Sequence, residues 1–254
     1  MAELVYPPVV RLVLGVFRAL DLRLDVAGKE HVPAHGGGVV VMNHTGYLDF
    51  ALAGVPYWRG ARRLIRFMAK QEVFQHRLGG PIMRGMHHIS VDRSSGGAAF
   101  REAVAALRRS ELVGVFPEAT ISRSFCLKEF KPGAVQMARA ANVPLLPLAL
   151  WGSQRIYTKG RKPSLAEARH VPVTMTLGPA LDAKHKDAQA HLRSELARLL
   201  EESQARYPDR PAGAWWLPAH LGGSAPTPEE AARIDAELAL ARRQNAPGQR
   251  GSSS

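Results

Sequence analysis

The stretch "VVVMNHTGYLDF" (39–50) is an apolar run that stops abruptly at Asn43-His44, turns, and reaches a carboxylate at Asp49. With Gly38 the run reads as a strand, and "DFALAGVPYW" (49–58) reads as the helix that follows. The unit is therefore strand, loop, helix, with its polar residues where the strand ends. Strand ends are the usual location of sites in α/β sheets.

The same alternation extends outward. "RRLIRFMAK" (62–70) reads as a basic strand, "VFQHRLGGPIMRGM" (73–86) as a short helix broken at its glycines, and "HHISV" (87–91) as a short strand. In "SSGGAAFREAVAALRRS" (94–110), serines cap an amphipathic helix with Phe100, Val104 and Leu107 on its apolar side. "ELVGVFPE" (111–118) is a buried strand ending in a proline turn, "PGAVQMARAAN" (132–142) a helix, and "VPLLPLALWG" (143–152) and "RHVPVTMTLGPAL" (169–181) further strands. This predicts an α/β fold: a single domain with a mixed, largely parallel sheet flanked by helices. An N-terminal amphipathic helix over 1–24 precedes the domain proper at 25–207, whose last element is the helix at 188–207. A C-terminal extension follows at 208–254: a loop, a capped helix from "TPEEAARIDAELALARR" (227–243), and a tail, "NAPGQRGSSS", expected to be mobile.

The chain has 254 residues, 46% of them hydrophobic and 22% charged, which calls for a packed core and argues against disorder. Lys+Arg number 34 against 22 Asp+Glu, a net charge of +12 that favours an anionic partner: nucleic acid, a membrane surface or a phosphorylated substrate. The single cysteine, Cys126, rules out an intrachain disulfide and a four-cysteine zinc site. "VVRLVLGVFRAL" (9–20) contains Arg11 and Arg18 and is too short to span a bilayer. It reads either as a helix packed on its own domain or as one lying in the membrane interface.

Four stretches hold candidate chemistry. In the first, a neutral imidazole, His44, can take a proton from a hydroxyl, and does so better when its other ring nitrogen donates to a carboxylate. Asp49 can serve if the chain turns between them, with Gly46 helping the turn. Taken alone, the pair reads better as a loop histidine beside an N-cap aspartate. In "GMHHISVDRSS" (85–95), Arg93 sits between a strand and a helix start, an arrangement suited to phosphate. His87 and His88 are adjacent and point to opposite faces, so they do not share a metal. In "VFPEATISRSF" (115–125), Glu118 stands past a strand and can accept from substrate hydroxyls, with Thr120 among the added donors. Arg123, Lys128 and Lys131 form a basic wall. The fourth stretch, "NVPLLPLALWG" (142–152), is an apolar strand between prolines.

Together these four stretches resemble the motifs of the glycerol-phosphate and lysophospholipid acyltransferase family. Asn43, His44 and Asp49 fit its Asn-His-x-x-x-x-Asp motif. Gly85 and Asp92-Arg93 fit the second. Phe116, Pro117, Glu118 and Thr120 fit the third, where Ala119 replaces a glycine and Ile121 stands in place of an arginine. Arg123-Ser124 follows two places later, and Phe130, Lys131 and Gly133 continue the pattern. Val143, Pro144 and Pro147 fit the fourth. The order holds from about residue 25 to 180.

The resemblance implies an enzyme that moves a fatty acyl chain from an acyl thioester to lysophosphatidic acid, forming phosphatidic acid. The donor is acyl-CoA or acyl carrier protein, used as co-substrate with no cofactor and no metal. His44 and Asp49 are the implied catalytic residues. Asn43, Arg93, Glu118, Thr120, Arg123, Lys131 and Gly133 are the implied substrate-binding residues. Backbone N–H groups near the first motif are expected to hold the oxyanion. An amphiphilic acceptor implies a peripheral position on the cytoplasmic face of a membrane, which favours the membrane-interfacial reading of the 1–24 helix, with Arg59, Arg62, Arg63, Arg66 and Lys70 toward anionic headgroups. Another lysophospholipid, glycerol 3-phosphate or a glycolipid are alternative acceptors, and a catalytically silent lipid-binding relative is a third reading. Nothing resembles a helix-turn-helix, zinc finger or RNP strand, so no nucleic-acid partner is expected. No oligomeric state is specified. Of Trp215 and Trp216, the reading leans to core packing over membrane anchoring.

Overall fold

The structure, a computed structural model, describes residues 3–92 and 96–244. Arg93, the predicted serine cap and the tail at 245–254 lie outside the described residues. In chain order the elements are α1 (Tyr6–Ala19), β1 (Arg23–Ala27), β2 (Gly38–Met42), α2 (Asp49–Ala61), β3 (Ile65–Lys70), α3 (Gln71–Gln75), α4 (Gly79–Gly85) and β4 (Ile89–Val91). There follow α5 (Gly96–Arg108), β5 (Leu112–Val115), α6 (Gly133–Ala141), β6 (Leu145–Trp151), α7 (Leu165–Ala168), β7 (Pro172–Leu177), α8 (Ala188–Ala205) and α9 (Pro228–Gln244).

The strands form one seven-stranded sheet in the order β1-β7-β6-β2-β5-β3-β4. Neighbours are parallel except β6 and β7, which run antiparallel. Each residue of β2, β5 and β6 is buried, as expected for strands covered by helices on both faces. Alternation along β2 separates the two cores. Val40 and Met42 face Phe17 of α1 and Leu52 and Val55 of α2. Val39 and Val41 face Ala103 and Leu107 of α5, Val135 and Ala138 of α6, and Leu192 of α8.

The N-terminal helix combines features of both sequence readings. Tyr6 and Phe17 are buried, and the Tyr6 hydroxyl donates to the Ile65 carbonyl at 2.7 Å. On its other side Leu12 is 69% and Val16 48% exposed. The expected basic patch, however, is dispersed. Arg66 is buried and paired with Glu3 and Glu111. Arg63 donates to the carbonyls of Pro33, Gly36 and Ser110. The physical reason is strand alternation and turn closure: these guanidiniums fold back onto carbonyls and carboxylates of the domain itself, and Arg59, Arg62 and Lys70 remain exposed. Trp216 and Leu217 are buried against Tyr207 and α8, which bears out the packing role for that tryptophan.

Candidate active site

Because β2, β5 and β6 are parallel, their C-terminal ends open on one edge of the sheet. β2 leads into Asn43-His44, β5 into Phe116–Glu118, and β6 into Gly152–Gln154. The turn after β6 needs glycine. Gly152 has φ +103°, and a Cβ there would strike the Pro172 carbonyl.

The loop between β2 and α2 wraps around one carboxylate. Asp49, the first residue of α2, is fully buried. Its Oδ2 lies 2.9 Å from His44 Nδ1 and accepts from the backbone N–H groups of Thr45 (2.7 Å) and Gly46 (2.9 Å). Its Oδ1 accepts from the Ser153 hydroxyl, which also lies 3.1 Å from Thr45 Oγ1. An acceptor oxygen held by two backbone donors makes His44 Nδ1 the protonated ring nitrogen and leaves Nε2 as the basic one. The imidazole stacks on Phe116 at 4.0 Å between ring centroids, with 19% of the side chain exposed. It is oriented on one side and open on the other.

Glu118 ties this loop to the segment after β5. Its Oε1 accepts from His44 N–H at 2.9 Å and its Oε2 from Lys128 N–H at 3.1 Å. Burial pushes its carboxyl up to about 7 from the usual 4.5. The two backbone donors and the Lys128 charge pull the other way, and the Asp49 charge adds to the rise. Ser122 N–H closes the link by donating to the His44 carbonyl at 2.8 Å.

A cationic cluster lies along the same segment. Lys128 Nζ donates to Thr120 Oγ1 at 2.8 Å. Arg123 Nε and Lys159 Nζ both meet Oδ1 of Asp235 on α9, at 2.8 and 2.6 Å. Among the described residues no group of three or more His, Cys, Asp or Glu is arranged to hold a metal ion.

Comparison with known proteins matches this architecture. The sequence profile of the family described as Acyltransferase fits residues 23–151, which run from β1 to the end of β6. The chain belongs to the acyltransferase family. The 1-acyl-sn-glycerol-3-phosphate acyltransferase of Bacillus subtilis (strain 168) is 32% identical over 155 residues, covering 58% of this chain and 74% of that protein. The protein of the same name from Limnanthes douglasii is 30% identical over 163 residues, covering 63% of this chain and 54% of its own, so this chain spans about half the length of the plant relative. The crystal structure of the 1-acyl-sn-glycerophosphate (LPA) acyltransferase PlsC from Thermotoga maritima has a TM-score of 0.65 at 24% identity. It covers 80% of this chain and 81% of that one, and shows the common fold.

Within this acyltransferase the structure joins His44, Asp49, Glu118 and Thr120 in one bonded network and assigns other expected residues different surroundings. Asn43 is 1% exposed, and its amide donates to the Leu150 carbonyl and accepts from the Leu150 N–H, at 2.9 and 2.8 Å. It joins β2 to β6 as framework and does not face the cleft. Both Glu118 oxygens are engaged by backbone donors, so its geometry is that of a brace between two loops. Ile121, standing where an arginine is expected, is buried. Lys131 is exposed, and Gly133 opens α6. The expected oxyanion donors are not found at 44–47: the N–H groups of His44, Thr45, Gly46 and Tyr47 already meet Glu118, Asp49, Asp49 and Tyr157. Sequence reasoning missed Ser153 and Gln154, both fully buried and both bonded to the first-motif loop through Thr45 Oγ1. The signal was there: "GSQ" directly after the apolar β6, a polar cluster at a strand end on the site's own edge.

Proposed function

We propose that the protein transfers an acyl chain from an acyl thioester, on CoA or acyl carrier protein, to the free hydroxyl of a 1-acylglycerol 3-phosphate, giving phosphatidic acid. One observation carries this reading: His44 Nδ1 lies 2.9 Å from a buried Asp49 carboxylate at the edge where β2, β5 and β6 end. The acceptor hydroxyl attacks the thioester carbonyl carbon while His44 Nε2 takes its proton. The new C–O ester bond forms, the C–S bond breaks, and the imidazolium returns the proton to the thiolate. Asp49 holds the imidazole and stabilises its cationic form. The basic residues after β5, Arg123 and Lys128 with Lys131 beyond, provide for the acceptor phosphate. The names of the relatives support the acceptor, and His44→Ala tests the mechanism. Acyl transfer to 1-acylglycerol 3-phosphate should fall by at least ~100-fold; a variant within a few-fold of wild type would remove His44 as base.

An amphiphilic acceptor places the enzyme at a membrane surface as a peripheral protein. No described helix is long and apolar enough to cross a membrane. Leu4 (79% exposed) on the approach to α1 and Leu78 (77%) between α3 and α4 extend into solvent, and Gly85 of α4 lies against Val5, so the two segments adjoin. With Val73, Ile82 and the exposed Arg77 they make an apolar surface with basic flanks. Flotation with anionic liposomes at low salt tests this: protein that remains at the bottom of the gradient refutes it.

A second reading, a different acceptor, is favoured by the buried Ile121. A panel of lysophospholipids, glycerol 3-phosphate and monoacylglycerol, with the products identified by mass, decides between the two.

A further inference from the structure

Asp235 has more cationic partners than one carboxylate needs. Its Oδ1 meets Arg123 Nε at 2.8 Å and Lys159 Nζ at 2.6 Å, and its Oδ2 lies 3.8 Å from Lys128 Nζ. Among the described residues three cations are thus ion-paired to the one carboxylate of Asp235, and Lys128 also feels the buried Glu118 carboxyl. Arg123 is only 13% and Lys159 21% exposed, so these are not ordinary surface cations. Partial burial raises the Asp235 carboxyl, and Lys159 and Arg123 outweigh that effect and hold it below the usual value. The Arg123 guanidinium has a built seat. Gly160, at φ +86°, lies beneath it, and Arg123 Nη1 fills the space a Cβ would take. Lys128, whose ammonium completes the cluster, is fixed through its own N–H to Glu118, which also holds the backbone of His44. The cluster is therefore one lysine side chain away from the brace behind the proposed base.

The helix that supplies Asp235 is lightly held. Of the described α9 side chains, from 228 to 241, only Ala231 is buried, Ile234 and Asp235 are half-buried, and Leu238 and Leu240 are 41% and 57% exposed. α9 satisfies its own start through a reciprocal cap: Thr227 N–H to Glu230 Oε2 at 2.9 Å and Glu230 N–H to Thr227 Oγ1 at 3.2 Å. A self-capped helix tethered, among its described side chains, by the ion pairs of a single carboxylate can leave the surface without exposing a core.

We propose that Arg123, Lys128 and Lys159 form a phosphate-monoester site and that α9 gates it by lodging Asp235 there until an anionic acceptor displaces it. A phosphate monoester carries about −1.5 to −2 charges and three acceptor oxygens, a closer match to three cations than one carboxylate. The assignment of this phosphate to the acceptor rests on the acyl-transfer reading above. The gate itself does not.

The test uses full-length protein and two readouts. Inorganic phosphate binding is measured by calorimetry on wild type, Asp235→Asn, Ala231→Arg (which lifts α9 and keeps Asp235) and Asp235→Asn/Arg123→Gln. Both single variants should bind phosphate about fivefold or more tighter than wild type, and the double variant should lose that gain. Equal phosphate affinity in wild type and both single variants overturns the proposal. In parallel, Asp235→Asn should lower KM for 1-acylglycerol 3-phosphate about fivefold and leave KM for monoacylglycerol unchanged; an equal change for both acceptors overturns the gate. A phosphate gain with no acylation of any acceptor keeps the anion site and refutes the acyl-transfer reading. Acylation without a phosphate gain does the reverse.

Discussion

Replacing Asp49 by asparagine separates the charge of this side chain from its hydrogen bonding. Oδ2 accepts from Thr45 N–H, Gly46 N–H and His44 Nδ1, whereas among the described residues Oδ1 accepts only from the Ser153 hydroxyl, which can rotate to donate elsewhere. The two backbone donors therefore dictate how the new amide sits: carbonyl oxygen toward the loop, NH2 toward Ser153. His44 keeps its tautomer and loses only the negative charge that stabilises its protonated form. A hydrogen bond to a charged group contributes about 1.5–3 kcal/mol, so kcat should fall by roughly 10- to 150-fold while the fold survives. Asp49→Ala differs. It leaves the Thr45 and Gly46 N–H groups buried without acceptors, a cost of about 4 kcal/mol in total at roughly 2 kcal/mol each. In a chain of this size that lowers Tm by roughly 8–16 °C. The assay pairs thermal melts with steady-state acyl transfer for both variants. If Asp49→Asn melts like wild type and keeps kcat within twofold, the carboxylate charge plays no part in activating His44 and the argument fails.

Other perturbations follow from the same geometry. Glu118→Gln turns an amide NH2 toward a backbone N–H and should cost about 1–3 kcal/mol in urea unfolding. The pH dependence also has a sign: the folded carboxyl titrates at about 7 and the free one near 4.5, so the stability this group contributes below pH 4.5 is lost as pH rises through 7. That loss is about 3 kcal/mol by pH 8, read as wild-type stability falling between pH 4.5 and 8 relative to Glu118→Gln, which has no carboxyl to titrate there. Gly152→Ala forces a Cβ onto the Pro172 carbonyl at φ +103° and displaces Ser153, so activity should drop more than tenfold with a lowered Tm. Trp216→Ala should cost about 3–5 kcal/mol by chemical unfolding, and Trp215→Ala, half-buried beneath Arg161, under ~1.5.

What was legible in the sequence was local. β2, its loop and α2 follow from one apolar run and a turn, and the four residues between His44 and Asp49 suffice for a carboxylate to reach back to an imidazole. The sheet's largely parallel character followed from strands alternating with helices. The antiparallel return of β7 did not, because that pairing depends on chain crossing. Ser153 escaped notice because its partner is 104 residues away, and Asp235 because Arg123 is 112 away. No periodicity encodes such pairings. Asn43 shows a different limit. An asparagine beside a candidate base suggests substrate contact, yet a buried amide matches a strand's N–H and C=O equally well, and only the position of Leu150 decides. Arg63 and Arg66 were counted as surface charge because a sequence does not reveal which guanidiniums fold back onto carbonyls and carboxylates of their own domain.

That amide has a consequence for how the protein matures. Asn43 grips Leu150 by both its N–H and C=O, and three residues on, in the turn just past the end of β6, Ser153 reaches Asp49. A slip of β6 by one residue against β2 would break both contacts at once and aim a different side chain at the carboxylate. A misregistered pair would not present the Ser153 hydroxyl to Asp49 Oδ1. On the acyl-transfer mechanism proposed above, the contacts that set this register are also those that build the Asp49 cage, so a misregistered population should be inactive outright instead of weakly active.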